Sequence, residues 1–162
     1  MRRRGNSLQA VLWWAGYTIA GVWVHKTVPG IDVFAPGIVL SMQEQGGFRT
    51  FWLGFVWILV LEGMGNLPFG YGVAWYSMLA AFFIAGRWLF EARSILFMCV
   101  IGLGLGVLHP ALTWFVCMLG GIAFPMREAV LEGVLQAVVF PIAWVFADKL
   151  FPRGLRQDVA PL

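Results

Sequence analysis

The sequence predicts an all-α fold, an integral membrane bundle of six transmembrane helices in which the second is short or broken. Three observations carry the prediction. Of 162 residues, 60% are hydrophobic and 12% charged, and the mean hydropathy is +0.82. Soluble domains are about half apolar and about a quarter charged. Long apolar runs fill the chain, separated by short polar or Gly/Pro links, and the basic residues are concentrated in some links and not others. A spanning helix needs roughly 20 apolar residues. Five or six spans therefore use nearly the whole chain as one transmembrane domain and leave no room for a soluble catalytic domain.

The first span covers 8–24. Arg2, Arg3 and Arg4 ahead of it look like the start of a signal peptide. Val24-His25-Lys26 follows with no small-residue cleavage pattern, so a retained first helix is expected. Gly16 and Ala20, four apart, give this helix a face on which another can pack closely. Packing inside the bundle is the simpler use of that face, and docking of a partner is the alternative.

The second span, 33–46, is the doubtful one. Pro29-Gly30 and Asp32 break regularity before it, Pro36 suits a first helical position, and Gln43-Glu44-Gln45 ends it in polar residues. From Pro36 to Gln45 a helix is only about 15 Å long, half of a hydrocarbon core of roughly 30 Å. Charge decides what hydropathy does not. With six spans and a cytoplasmic N-terminus, Arg2, Arg3, Arg4, Arg49, Arg87, Arg93, Lys149, Arg153 and Arg156 lie inside, and only Lys26 and Arg127 outside. Five spans would leave just Arg2, Arg3, Arg4 and Arg127 inside. The positive-inside rule therefore selects six spans with both termini cytoplasmic. Extended chain around 31–35 must then complete the second span and be shielded by its neighbours.

The remaining spans are 50–66, 69–89, 94–119 and 129–147. The third and fourth are joined by the turn Gly65-Asn66-Leu67-Pro68, with one acid, Glu62, just inside the third. Pro110 and Pro141 predict kinks in the last two spans. Trp23, Trp52, Trp88, Trp114 and Trp144 fall near predicted interfaces, as in an aromatic belt. Gly102 and Gly106 form a second close-packing face. Cys99 and Cys117 share one helix about 27 Å apart, too far for a disulfide. They read as small hydrophobes.

Catalytic signatures are missing: no H-E-x-x-H, G-x-S-x-G, P-loop or carboxylate cluster with metal spacing. A non-enzymatic protein without cofactor or metal is expected, and its basic ends orient it in the membrane instead of binding nucleic acid. Six spans put Asp32, Glu62, Asn66, His109, Glu132 and Gln136 in the outer half of the membrane. Ionisable groups at that depth usually face the bundle interior or a cavity. Two uses stay open: an outward-opening polar pocket, or separate caps and pairings near the headgroups. The second is favoured for Glu132.

Several of these features, in order, resemble the bacterial rod shape-determining family MreD. They are the basic start, Phe34-Ala35-Pro36 before an apolar run, Gly54 and Leu61-Glu62 in the third span, Pro68-Phe69-Gly70 opening the fourth, and the basic tail. The family's Asp is Glu62 here, and the Arg of its F-R-P is Ala35. The resemblance implies an inner-membrane scaffold of the cell-elongation machinery. Such a scaffold contacts MreC and couples peptidoglycan synthesis to the cytoskeletal filament. The same bundle is similar to the S-components of energy-coupling-factor vitamin transporters. That likeness implies a small-molecule ligand instead.

Overall fold

The structure, a computed structural model, describes residues 2–28, 30–45, 47–64 and 70–156, with side chains from residue 8 onward. Six α-helices account for most of them: α1 (Arg2–Thr27), α2 (Phe34–Glu44), α3 (Gly47–Gly63), α4 (Tyr71–Gly86), α5 (Ile95–Gly120) and α6 (Met126–Leu150). A short 3-10 turn, Arg153–Leu155, follows. There is no strand among the described residues. The turn at 65–68, with the candidate residues Asn66 and Pro68, lies outside the described residues.

The shortest helix is the centre of the bundle. In α2 every residue from Phe34 to Ser41 is buried, and so is Glu44. The helix begins at Phe34, two residues before the expected Pro36 start, and packs against α3, α4 and α6. Its polar end, which looks like a premature stop in the sequence, ties it to those neighbours. The Ser41 and Thr50 hydroxyls are 2.9 Å apart, and Gln43 accepts from Trp144 Nε1 at 3.0 Å and donates to the Ala92 carbonyl. Glu44 pairs with Arg93. Polar groups withdrawn from water must be bonded, and here the bonds reach α3, α6 and the α4–α5 connection. Trp144 is accordingly only 4% exposed, not a member of an aromatic belt.

α1 packs through Trp14, Tyr17, Thr18 and Gly21, an i, i+3, i+4, i+7 stripe. Trp57 of α3 stacks on Tyr17 with centroids 5.6 Å apart and donates to Thr18 Oγ1 at 2.8 Å. A Cβ at Gly37 would stand 2.7 Å from the Trp57 ring, so α2 can lie against these rings only with glycine there. That stripe turns Gly16 and Ala20 outward. Both are exposed, and nothing lies within 4 Å of a Cβ built at Gly16. Packing of this small-residue face inside the bundle is thus not its use; aromatic side chains take the inward positions instead.

α5 and α6 form the closest helix pair. A Cβ at Gly102 would stand 2.8 Å from the Ala137 carbonyl oxygen, and one at Gly106 would stand 2.7 Å from that of Gly133. The contact is reciprocal, since a Cβ at Gly133 would lie 2.4 Å from the Gly106 oxygen. Each helix also carries a proline eight residues after its glycine: Gly102 with Pro110, Gly133 with Pro141. Pro141 lies beside Gly102, and Pro110 beside Gly133. The two antiparallel helices thus present the same glycine–proline spacing to each other. Proline cannot bond its i−4 carbonyl, and the bend it makes is accommodated where the partner lacks a side chain.

These two helices are long and apolar enough to cross a membrane, and only 28% of the most apolar window of each is buried. Leu103, Val107, Val134 and Val138 face outward. A core helix of a soluble domain would be buried on most sides, so this outward apolar surface suggests a membrane protein.

Candidate functional site

Between α1 and α2 the described residues, 28 and 30–33, lie outside regular structure. Each non-proline residue of such a segment needs partners for one N–H and one C=O. Side chains from two helices supply several of them. Gln136 of α6, 1% exposed, accepts from the Asp32 amide at 2.8 Å and donates to the Asp32 carbonyl at 3.0 Å. This primary amide pairs with the peptide as a second strand would. Tyr17 of α1 donates to the Val33 carbonyl at 2.7 Å, and His25 Nδ1 lies 3.3 Å from the Ile31 carbonyl.

The Asp32 side chain turns the other way and gathers four donors. Its Oδ1 accepts from the amides of Phe34 (2.8 Å) and Ala35 (3.3 Å) and from the Tyr76 hydroxyl (3.2 Å). Its Oδ2 accepts from Trp75 Nε1 at 2.7 Å. Asp32 therefore caps α2 from two residues ahead of it. It satisfies amides that a helix start leaves open and places a negative charge at the positive end of the helix dipole. Phe34 and Ala35 are both fully buried, so no water could replace it.

A second chain of polar groups crosses α4, α5 and α6. The Tyr71 hydroxyl lies 3.1 Å from His109 Nδ1, and His109 Nε2 lies 2.9 Å from Glu132 Oε2. In the tautomer whose Nε2 donates to the carboxylate, Nδ1 accepts from the tyrosine hydroxyl. The order phenol, imidazole, carboxylate can relay a proton, and it can equally act as a strut between three helices. Trp75 meets the His109 ring edge-on at 5.8 Å and stacks on Tyr71 at 6.3 Å. Gly30, at φ +83°, makes room for Glu132, whose Cγ would lie 2.4 Å from a Cβ there.

These groups line a cavity of about 390 Å³, with Asp32, Tyr71, Trp75, His109, Glu132 and Gln136 in its wall together with His25 and Lys26 of α1. Four of the six residues singled out from the sequence thus meet: Asp32, His109, Glu132 and Gln136. Glu132 is not an isolated helix cap. Tyr71, Trp75, Tyr76 and His25 do not stand out in the sequence; the i, i+4 pair Tyr71/Trp75 with Tyr76 is the signal that points to the first three. Among the described residues no group of three or more His, Cys, Asp or Glu is placed to hold a metal ion.

Glu62 stands apart. It does not line the cavity; its Oε1 accepts from the Gly70 amide at 2.9 Å and closes the α3–α4 connection. Gly70 has φ +90°, a left-handed conformation that favours glycine. This is the capping role and not the pocket wall. Glu62→Ala is expected to lower stability by about 1–2 kcal/mol through loss of one charge-assisted bond. Glu62→Gln keeps an acceptor and should stay within about 1 kcal/mol of the parent. Melting temperatures in detergent would check both, and equal losses would refute the cap.

Comparison with protein-family models, with curated proteins and with solved structures finds no match.

Proposed function

We propose that this chain is a non-enzymatic scaffold of the MreD type. It would span the bacterial inner membrane six times with both termini cytoplasmic. In this reading it contacts an MreC-like bitopic partner and helps couple wall synthesis to the cytoskeletal filament, with helix faces as its working parts. One observation carries the preference for scaffold over carrier: the polar side chains around the cavity spend their hydrogen bonds on the chain itself. Asp32 holds the start of α2, Gln136 holds the Asp32 peptide, and His109 joins Tyr71 to Glu132. A ligand site keeps a few placed polar groups to fix its ligand; here such groups brace one element against another. The outward face at Gly16 and Ala20 supports the same reading, as a surface where a partner helix can approach closely.

A second reading, a solute-binding transporter subunit, is favoured by the cavity itself. Its volume of about 390 Å³ falls within the usual range of small-molecule sites, about 300–1,000 Å³. Purification of the tagged chain from its own membranes, followed by mass spectrometry of proteins and small molecules, separates the two. Recovery of an MreC-like protein and elongation-complex members is the expected result. A tightly bound vitamin-sized molecule with an ATPase partner would overturn it.

A further inference from the structure

A second concavity lies in the cleft between α3 and α4 and measures about 540 Å³. Its walls are Phe55 and Ile58 on α3 and Val73, Ala80 and Ile84 on α4, with Ile38 of α2 as its floor. Tyr76 and Ser77 add hydroxyl-bearing side chains along α4, and Gln45, Thr50 and Arg87 line one end. Arg87 is exposed and has no ion-pair partner among the described residues, Glu91 four residues on included.

An apolar furrow with a cation at one end has the chemistry of an amphiphile with an apolar tail and an anionic head. Val73 to Arg87 covers about 21 Å along α4 at 1.5 Å per residue. One leaflet's acyl layer, half of a roughly 30 Å core, is about 15 Å deep. A tail entering beside Arg87 therefore fills most of the length.

We propose that the α3–α4 cleft is a binding site for an anionic phospholipid, with one acyl chain along Phe55, Ile58 and Ala80 and the phosphate on Arg87. The proposal rests on the membrane reading but not on the scaffold role. Basic residues near a membrane surface attract anionic lipid with a strength worth about fivefold in affinity each, and apolar contact in the cleft orders the chain.

The test uses the full chain in nanodiscs of equal phosphatidylglycerol and phosphatidylcholine, extracted into mild detergent, with retained lipids counted by native mass spectrometry. Wild type should retain about fivefold more phosphatidylglycerol than phosphatidylcholine. Arg87→Gln, an exposed change that should leave the melting temperature unaltered, should abolish the preference. Ala80→Trp, which fills the cleft, should abolish retention of both lipids. Equal retention of the two lipids by wild type would overturn the site, as would a preference that survives both substitutions. Crosslinking of a partner protein from position 80 would overturn it too. Release of the chain from membranes by alkaline carbonate would refute the membrane reading itself. A chain that stays embedded yet shows no lipid preference would refute only the site.

Discussion

Gly133→Leu is expected to prevent α5 and α6 from pairing and so to yield no stably folded protein. The Cβ of any residue at this position lies 2.4 Å from the Gly106 carbonyl oxygen, well inside van der Waals contact. The obstacle is backbone, not the end of a flexible side chain, so relief requires the helices to separate. Overpacking in a dense interior costs typically about 1–3 kcal/mol for added methylenes, and even Gly133→Ala should fall in that range. Leucine adds three further carbons in the same place. Gly106→Ala, 2.7 Å from the Gly133 oxygen, should behave like Gly133→Ala. Gly16→Leu is the control, because nothing lies within 4 Å of it, and it should leave the melting temperature unchanged. Thermal unfolding in detergent, followed by tryptophan fluorescence, would measure all four. If Gly133→Leu melted with the parent protein, the close crossing would be wrong.

That pair also shows what the sequence makes legible and what it hides. The helices themselves are plain, since apolar runs bounded by Gly, Pro and charges mark α5 and α6 to within a few residues. Gly102 and Gly106 announce a close-packing face by their spacing. Gly133 does not, because a single glycine among apolar residues has many uses. Only the matching glycine–proline spacing in the two helices, visible once both are in view, identifies it. Gly16 and Ala20 mislead for a related reason. In an apolar chain the residues facing lipid and those facing other helices are equally hydrophobic, so hydropathy does not separate inside from outside. Aromatic residues decided the question for α1, where Trp14 and Tyr17 take the inward stripe.

Polar residues divide differently. Asp32, His109, Glu132 and Gln136 stand out because an ionisable or amide group in an apolar run is costly, and that cost brings them together whatever their separation in sequence. Gln136 lies 104 residues from Asp32. Glu62 stands out by the same rule but lies close to a helix end, where a nearby backbone amide is a sufficient partner. Tyr71 and Trp75 pass unnoticed, since a tyrosine or tryptophan in such a chain reads as an apolar body with a small polar tip. Their tips are what Asp32 and His109 are bonded to.

Asp32→Ala should be the most damaging single change to the polar cavity. It removes one side chain but strands four donors: the amides of Phe34 and Ala35, the Tyr76 hydroxyl and Trp75 Nε1. Each buried donor left without an acceptor costs about 1–3 kcal/mol, so a total near 4 kcal/mol or more is expected. Folded bundles often have only about 5–15 kcal/mol in hand. Asp32→Asn gives the informative contrast. Its amide oxygen can still accept from Phe34, Ala35 and Tyr76, whereas its NH2 group confronts Trp75 Nε1, donor against donor. The expected loss is about 1–2 kcal/mol, with the change in environment reported by the fluorescence of Trp75 isolated in a background where exposed tryptophans are replaced. The ordering parent, then Asn, then Ala in melting temperature follows from counting donors. If alanine and asparagine proved equally stable, Asp32 would not be holding the start of α2. The bracing argument for a scaffold would then lose its main member, and the cavity would stand as a site whose polar groups are free for a ligand.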